Sequence, residues 1–555
     1  MKLSYYFSLC LCILLFASCS DKDDDLKTEP EEPESGFSFD ITEDIILTSE
    51  EGARAFVPFS SELDWQAEVS ADWLAIAPAA GEPGRNVILI TALTANDADE
   101  SREAVLTLTS GDASETITVR QETSDYIRLE QDVYQVDAEG GILEIIFSTS
   151  MNTDELRILC DASWLNQDNL SRAMTDYSIV LNVEPNPDTE ARYARIMFVK
   201  EDGVEQKILA TVIVVQSNES TDYSADGEVT VLQNATKGSG IPIVLMGDGF
   251  IDAEIADGTY LEVMQKACEN LFTEEPVKSL RDYFNVYSVA AVSASNAFGY
   301  GETAIGCELE GGNSTGISGD EIAVQKYVRY VDREYDIDTD NTLAVVILNT
   351  DSYAGTTYFG FTSMTSLEYT EFAIAYCPII YNLESDEFRQ VLTHEAIGHG
   401  FAKLEDEYSY EEMGVMPESA KEVVRQFQAL GWAQNVDLTD NPDEVLWSAF
   451  LTDERYAAED LGIYEGACTY MSGVYRPSEN SMMNDNTVGF NAPSRRAIYD
   501  RVMEDGMGKT PTYEEFVTFD QSVNTLQIRN SRSSTVKSGR PFARPRFMDK
   551  SLAAD

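Results

Sequence analysis

Two residue types are scarce in this 555-residue chain, and each scarcity excludes a class of function. Basic side chains are outnumbered, 38 Lys and Arg against 98 Asp and Glu, for a formal charge of −60. A phosphate-binding face needs clustered Lys and Arg, so nucleic acid is not an expected partner. Histidine is scarcer still: the two that exist, His394 and His399, share the string His394-Glu395-Ala396-Ile397-Gly398-His399. That excludes a Ser-His-Asp or Cys-His mechanism elsewhere, and a metal site of three imidazoles. Long apolar runs are missing too, beyond a short one from Leu9 to Phe16, so no spanning helix is expected. Yet 43% of residues are hydrophobic and 10% aromatic, enough to bury several cores. At roughly 150 residues per domain, three or four domains are expected.

Residues 1–18 read as a signal peptide, with Lys2, an apolar stretch and then Phe16-Ala17-Ser18 before Cys19. The small residues before Cys19 form a lipobox, which predicts a mature chain starting at a diacylated Cys19. Residues 19–36 follow as an acidic tether, with eight acidic and two basic residues between positions 21 and 35. The tether resembles the acidic export signal of surface lipoproteins in Gram-negative gut bacteria. The resemblance implies attachment to the outer membrane, facing outward, with the lipid on Cys19 as the only membrane contact. Cys10 and Cys12 leave with the signal, so Cys160, Cys268, Cys307, Cys377 and Cys468 remain. An odd number without CxxC spacing predicts scattered buried thiols rather than a disulfide framework; one bridge, such as Cys268 to Cys307, stays open.

From Gly36 to Gln216 short β-rich runs alternate with polar turns, which predicts all-β sandwiches. An internal repeat predicts two of them. Ala71-Asp72-Trp73-Leu74 returns as Ala162-Ser163-Trp164-Leu165, each Trp is followed by an Arg-x-Ala opening at Arg102 and Arg192, and each unit closes on a glutamine, Gln121 and Gln216. This layout resembles the BACON domain, an Ig-like sandwich, over residues 37–123 and 126–217. A tryptophan in such a sandwich is most often core, so spacers are expected in preference to lectins.

Beyond Asn218 the pattern becomes mixed α and β. Ile241 to Met246 reads as a buried strand running into Gly247-Asp248-Gly249-Phe250, Leu261 to Phe272 as an amphipathic helix, and Phe284 to Ala290 and Thr342 to Leu348 as further strands. The expected architecture is therefore two Ig-like sandwiches followed by an α/β catalytic domain of zincin type.

Residues Asp386 to Lys403 have helix character and carry both histidines. A zinc hydrolase needs two neutral imidazoles converging on one metal, with a carboxylate beside the water. The usual spacing is four, one helical turn; here it is five. Five residues of α-helix turn through about 500°, leaving the side chains about 140° apart. A π-bulge, easiest at Gly398, realigns them. Just beyond lie Glu405, Asp406 and Glu407, and no third histidine exists.

The string Thr393 to Tyr408 resembles the signature of the IgA-peptidase family of zinc metallopeptidases, placed among the metzincins. Met246-Gly247-Asp248-Gly249-Phe250, Glu465-Gly466-Ala467 with Gly473-Val474-Tyr475-Arg476-Pro477, and Met482-Met483-Asn484 with Phe490 to Arg495 also resemble it, so the resemblance spans about residues 225–525. It implies one catalytic Zn2+ held by His394 and His399, with Glu395 as the general base toward a zinc-activated water. By the metzincin pattern Asp406 is the third ligand. Glu465 is the rival, and Glu405 or Glu407 flanks the site and orients an imidazole. Met482 or Met483 would form a methionine turn beneath the metal, and Tyr475 would donate to the oxyanion. Asp248 is expected to hold a loop or a cation.

The expected function is a cell-surface endopeptidase acting on host or dietary proteins and glycoproteins. The alternative is a tethered glycan- or glycoprotein-binding protein with a degenerate peptidase fold, against which the intact Glu395 argues. Residues 526–555 form a basic polar tail in an otherwise acidic chain.

Overall fold

A computed structural model of the chain describes residues 44–523, apart from short loop segments, together with pieces at 37–39, 536–537 and 544–548. The signal peptide, Cys19, the acidic tether and most of the basic tail lie outside the described residues. The chain divides into two compact units, Met1–Ile127 with Thr149–Asn152, and the remainder.

The first unit is all β. A four-stranded and a five-stranded sheet share one core, in which Val57, Phe59, Ile88 and Ile90 of one meet Trp65, Leu106, Leu108 and Val119 of the other. Strand Gly84–Ala92 shows why: its burial alternates residue by residue toward its end, placing one face inward. The second unit opens with a matching pair of four-stranded sheets, bridged by the Phe147 and Phe198 rings at 4.8 Å. The repeat extends to topology, since each β region has one parallel pair, Ile45–Leu47 on Val119–Gln121 and Val133–Asp137 on Ile213–Ser217.

The repeated residues meet in one interaction. The Arg102 guanidinium lies 4.4 Å from the centre of the Trp73 ring while its Nε donates to Gln121 at 2.8 Å. Arg192 does the same with Trp164 at 4.4 Å and Gln216 at 2.8 Å. Each tryptophan is half-buried under an arginine rather than offered as a platform.

The mixed region contains β1 (Val229–Gln233), β2 (Ile241–Asp248), α1 (Thr259–Leu271), β3 (Phe284–Val289), α2 (Glu321–Tyr335), β4 (Leu343–Leu348), β5 (Thr356–Phe359), β6 (Ala373–Pro378), α3 (Asp386–Leu392), a hairpin of β7 (Leu461–Ala467) and β8 (Tyr470–Ser478), and β9 (Arg546–Phe547). One seven-stranded sheet has the order β1-β3-β2-β4-β6-β5-β9. Its centre is parallel, while β1 and β5 run antiparallel to their inner neighbours. Every residue of β2 and β4 is buried, as expected of strands covered on both faces. Ile243, Leu245, Val345 and Ile347 face the core shared with α1 and α3. Val244, Met246, Val346 and Leu348 face α2 through Val324, Val328 and Val331.

Asp248, at the end of β2, receives the Ile305 and Cys307 amides at 2.8 and 2.9 Å and the Thr303 hydroxyl at 2.8 Å. It holds a loop. All five mature-chain cysteines are free thiols, four of them buried. No described helix is long and apolar enough to cross a membrane.

Candidate metal centre

The helix that carries the histidines starts conventionally and then changes pitch. Ser385 caps α3 by accepting the Phe388 amide at 3.1 Å. From Thr393 to Phe401 the chain is a π-helix, all nine residues buried, and the Ala402 amide that closes it reaches back five residues to the Ile397 carbonyl at 3.0 Å. In this geometry residues five apart stand one above the other. The rings of His394 and His399 are thus brought to 4.7 Å between centres, at 84°. The expected local bulge is a longer π segment.

The helix ends in a sharp reversal. Lys403 adopts φ +52°, a left-handed value uncommon for a long side chain, and its buried ammonium donates to the Gly400 and Glu371 carbonyls. A cation at the helix C-terminus satisfies carbonyls with no partner of their own. The Leu404 amide closes the turn on the Gly398 carbonyl at 2.9 Å, and two residues later Asp406 lies against the imidazoles.

Each histidine is oriented from behind. Nδ1–H of His394 donates to the Met482 carbonyl at 3.0 Å, and Nδ1–H of His399 to the Leu404 carbonyl at 2.6 Å. A carbonyl can only accept, so both Nε2 atoms point forward as lone pairs. They lie 3.0 Å apart, with Asp406 Oδ1 at 3.4 Å from one and 3.3 Å from the other. Neither Asp406 oxygen has a hydrogen-bond partner, although the residue is fully buried. Two lone pairs and a carboxylate converging on one buried point demand positive charge there. Donor separations near 3.3 Å also suit a tetrahedral ion with bonds of about 2.0–2.1 Å. Among the described residues this is the one group of His, Cys, Asp or Glu with metal-ligand geometry.

The electrostatics agree. Burial pushes the His399 imidazolium down, but adjacent Asp406 more than reverses this and lifts the group to about 9. Burial likewise opposes an ionised Asp406, yet the two imidazoles hold its carboxyl well below the usual range. Burial raises the carboxyl of Glu395, with the histidines and Thr357 pulling the other way. Glu395 Oε2 lies 2.7 Å from the Thr357 hydroxyl on β5, and Oε1 has no partner.

The neighbours of Asp406 have other tasks. Glu407 accepts from Asn435 at 2.9 Å, Ser481 at 2.7 Å and Asn491 at 2.9 and 3.1 Å, while its amide donates to the Met483 carbonyl. It fastens the Ser481–Met483 segment, whose Met482 carbonyl holds His394. Glu405 pairs through its backbone with the Asn435 amide group, at 2.9 and 2.7 Å.

Two expectations are corrected. Glu465 is exposed on β7 and accepts the Gly473 amide at 3.0 Å, so hairpin geometry keeps it out of the cluster. Tyr475, opposite Glu465 on β8, pairs through its backbone with Asp437 and has Glu465 and Asp440 as its charged neighbours. The tyrosines whose phenols feel the site are Tyr408, raised by burial and by Asp406, and Tyr353, pushed up to about 12 by burial, Tyr381 and Glu395. Thr357, Lys403 and the Met482 carbonyl carry no sequence signal, whereas Glu407 stands in the acidic trio.

A family model described as IgA Peptidase M64 matches residues 229–455 and 443–502. The chain belongs to the IgA Peptidase M64 family. This M64 peptidase carries, ahead of its catalytic region, matches at residues 63–122 and 153–217 to BACON, a putative N-terminal binding domain. No curated protein matches it. Solved structures resemble parts of the M64 chain weakly. A Bacteroides ovatus GH5 xyloglucanase in complex with a XXXG heptasaccharide is 20% identical over 18% of this chain and 21% of its own, at a TM-score of 0.15. Human protocadherin-24 EC1-2 is 11% identical over 34% and 98%, at 0.22, and a titin A168169 structure is 11% identical over 32% and 98%, at 0.21. The M64 chain thus spans about a fifth of the xyloglucanase.

Proposed function

We propose that this M64 peptidase is a zinc-dependent endopeptidase of the cell surface, with a zincin-type catalytic domain carried on two Ig-like spacers. The observation that carries it is the convergence of His394, His399 and Asp406 on one buried point beside Glu395. A zinc ion held there would supply Lewis acidity toward water and the scissile carbonyl. The chain's own residues handle the proton. Thr357 fixes Oε2 of Glu395, which leaves Oε1 to accept a proton from water, and burial raises its affinity for that proton. The same oxygen can then deliver it to the leaving amine. Asp406 fixes the imidazoles by charge, and the Met482 and Leu404 carbonyls by direction.

Lipidation at Cys19 would place the chain at the outer membrane, and a charge of −60 favours neutral or basic stretches of protein and glycoprotein substrates. The arginine-covered tryptophans speak against the alternative, a glycan-binding protein with a degenerate peptidase fold.

The test uses the chain from residue 36 onward. It should contain about one zinc and cleave an unstructured protein, while Glu395→Gln keeps the metal and loses at least about 100-fold in kcat/KM, the size of a general-base contribution. Full activity in the zinc-loaded Gln variant would overturn the assignment.

A further inference from the structure

We propose that the C-terminal segment Arg544–Met548 is a self-supplied peptide ligand on the edge of the catalytic sheet, restraining the site in cis. This rests on the peptidase reading above. The edge in question is β5, which also holds the general base: Thr357 touches Glu395 Oε2, and a Cβ on Gly355 would lie 2.9 Å from Oε1. β5 is antiparallel to β6 on one side. Its other side would present unpaired amides and carbonyls, the kind of edge to which an extended peptide adds as a strand.

The tail fills that edge. Arg546 pairs with Tyr358 and Phe547 with Phe359, and the Met548 amide donates to the Phe359 carbonyl at 2.9 Å. The Phe547 ring enters an aromatic recess, 5.0 Å from Phe427, 5.2 Å from Tyr369 and 5.9 Å from Phe359. Gly360 leaves it room, since a Cβ there would overlap the ring. Arg546 forms an ion pair with Glu310 and lies 3.3 Å from the Tyr358 hydroxyl.

Other tail residues grip the segment that carries Asp406. The Arg544 guanidinium lies 4.6 Å from the centre of the Tyr470 ring and donates to Thr469 Oγ1 and the Cys468 carbonyl. The Cys468 amide in turn bonds the Asp406 carbonyl at 2.8 Å. Val536–Lys537 pairs with Ser409–Tyr410, just past Asp406. The tail therefore contacts both the strand that holds Glu395 and the chain that delivers Asp406.

Two features make this occupant displaceable. Its described strands are two residues long, and short strands have little independent stability. Its attraction is also largely one of charge. Residues 526–555 hold seven basic and two acidic side chains in a protein of charge −60, so release should be aided by salt.

The experiment compares the whole chain from residue 36 with the same chain bearing Arg544→Glu, Arg546→Glu and Phe547→Asp. Displacing a strand that is seated nine parts in ten lowers KM about tenfold and leaves kcat unchanged. A fluorescein-labelled peptide of residues 543–550 should bind the triple variant at least about tenfold more tightly than the parent, whose edge is filled. An unchanged or higher KM, or equal peptide binding by both, would overturn the proposal. If the triple variant loses zinc, Arg546→Ala alone is read by the same two measurements and must shift both in the same direction. Should no form hydrolyse any substrate while the difference in peptide binding persists, the peptidase reading fails and the edge occupant stands.

Discussion

The α-carbon of Gly398 lies against the thioether of Met483: a Cβ on residue 398 would overlap Sδ and come within 2.9 Å of Cε. The glycine between the two histidines is therefore a contact surface as well as a soft point in the helix. Met483 is fixed in turn, because its carbonyl accepts the Glu407 amide and the neighbouring Met482 carbonyl orients His394.

Gly398→Ala should reverse the usual helix rule. In an exposed helix the change gains about 1 kcal/mol. Here overpacking should cost about 1–3 kcal/mol and weaken zinc retention. Urea unfolding would show it, and Met483→Ala in the same chain should recover part of the loss. Simple additivity in that double-mutant cycle would refute the contact as its cause.

Asp406→Ala should abolish stoichiometric zinc, whereas Glu465→Ala should leave it intact, because only Asp406 reaches the imidazoles. Chelation of the parent should lower its thermal midpoint, as expected when a ligand bound only to the folded state is withdrawn. It should leave the midpoint of Asp406→Ala unmoved. Zinc loss in Glu465→Ala instead would move the third donor to the hairpin.

Glu254 gives a pH dependence remote from the metal. Burial, opposed by the Ile251 amide and Asn349, raises its carboxyl to about 7. The folded state therefore keeps a proton that the unfolded state gives up between about pH 4.5 and 7, so stability falls as pH rises through that window. The loss is about 3 kcal/mol. Glu254→Gln should flatten this slope in urea titrations at pH 5 and pH 8; parallel profiles for parent and variant would exclude Glu254 as its origin.

Arg102→Ala should destabilise the first β unit by about 1–2 kcal/mol, since it uncovers Trp73 and strands buried Gln121. Arg192→Ala should do the same through Trp164 and Gln216. Thermal unfolding followed by tryptophan fluorescence reports both. No change in either would reduce the repeat to coincidence.

Much of this protein was legible before its fold was known, because the informative signals were local. The β repeat showed itself through Trp73, Arg102 and Gln121 and their counterparts, since a stacked and hydrogen-bonded trio constrains residue type. The helix with two histidines was legible because only two exist, and its pitch followed from their spacing. The support of the site was not legible. Thr357, Lys403 and the Met482 carbonyl act through position, and a threonine, a lysine or a backbone oxygen looks the same wherever it occurs.

The sequence by itself determined where metal chemistry can occur, the need for a widened helix and the need for a carboxylate as third donor. Which carboxylate was decided by tertiary structure. Glu405, Asp406 and Glu407 are consecutive and chemically alike, and the choice depends on the direction each side chain takes. The left-handed turn at Lys403 and the distant partners of Glu407, namely Asn435, Ser481 and Asn491, settle that direction. A preference built from contacts across 28 to 84 residues of separation cannot be read from any local pattern.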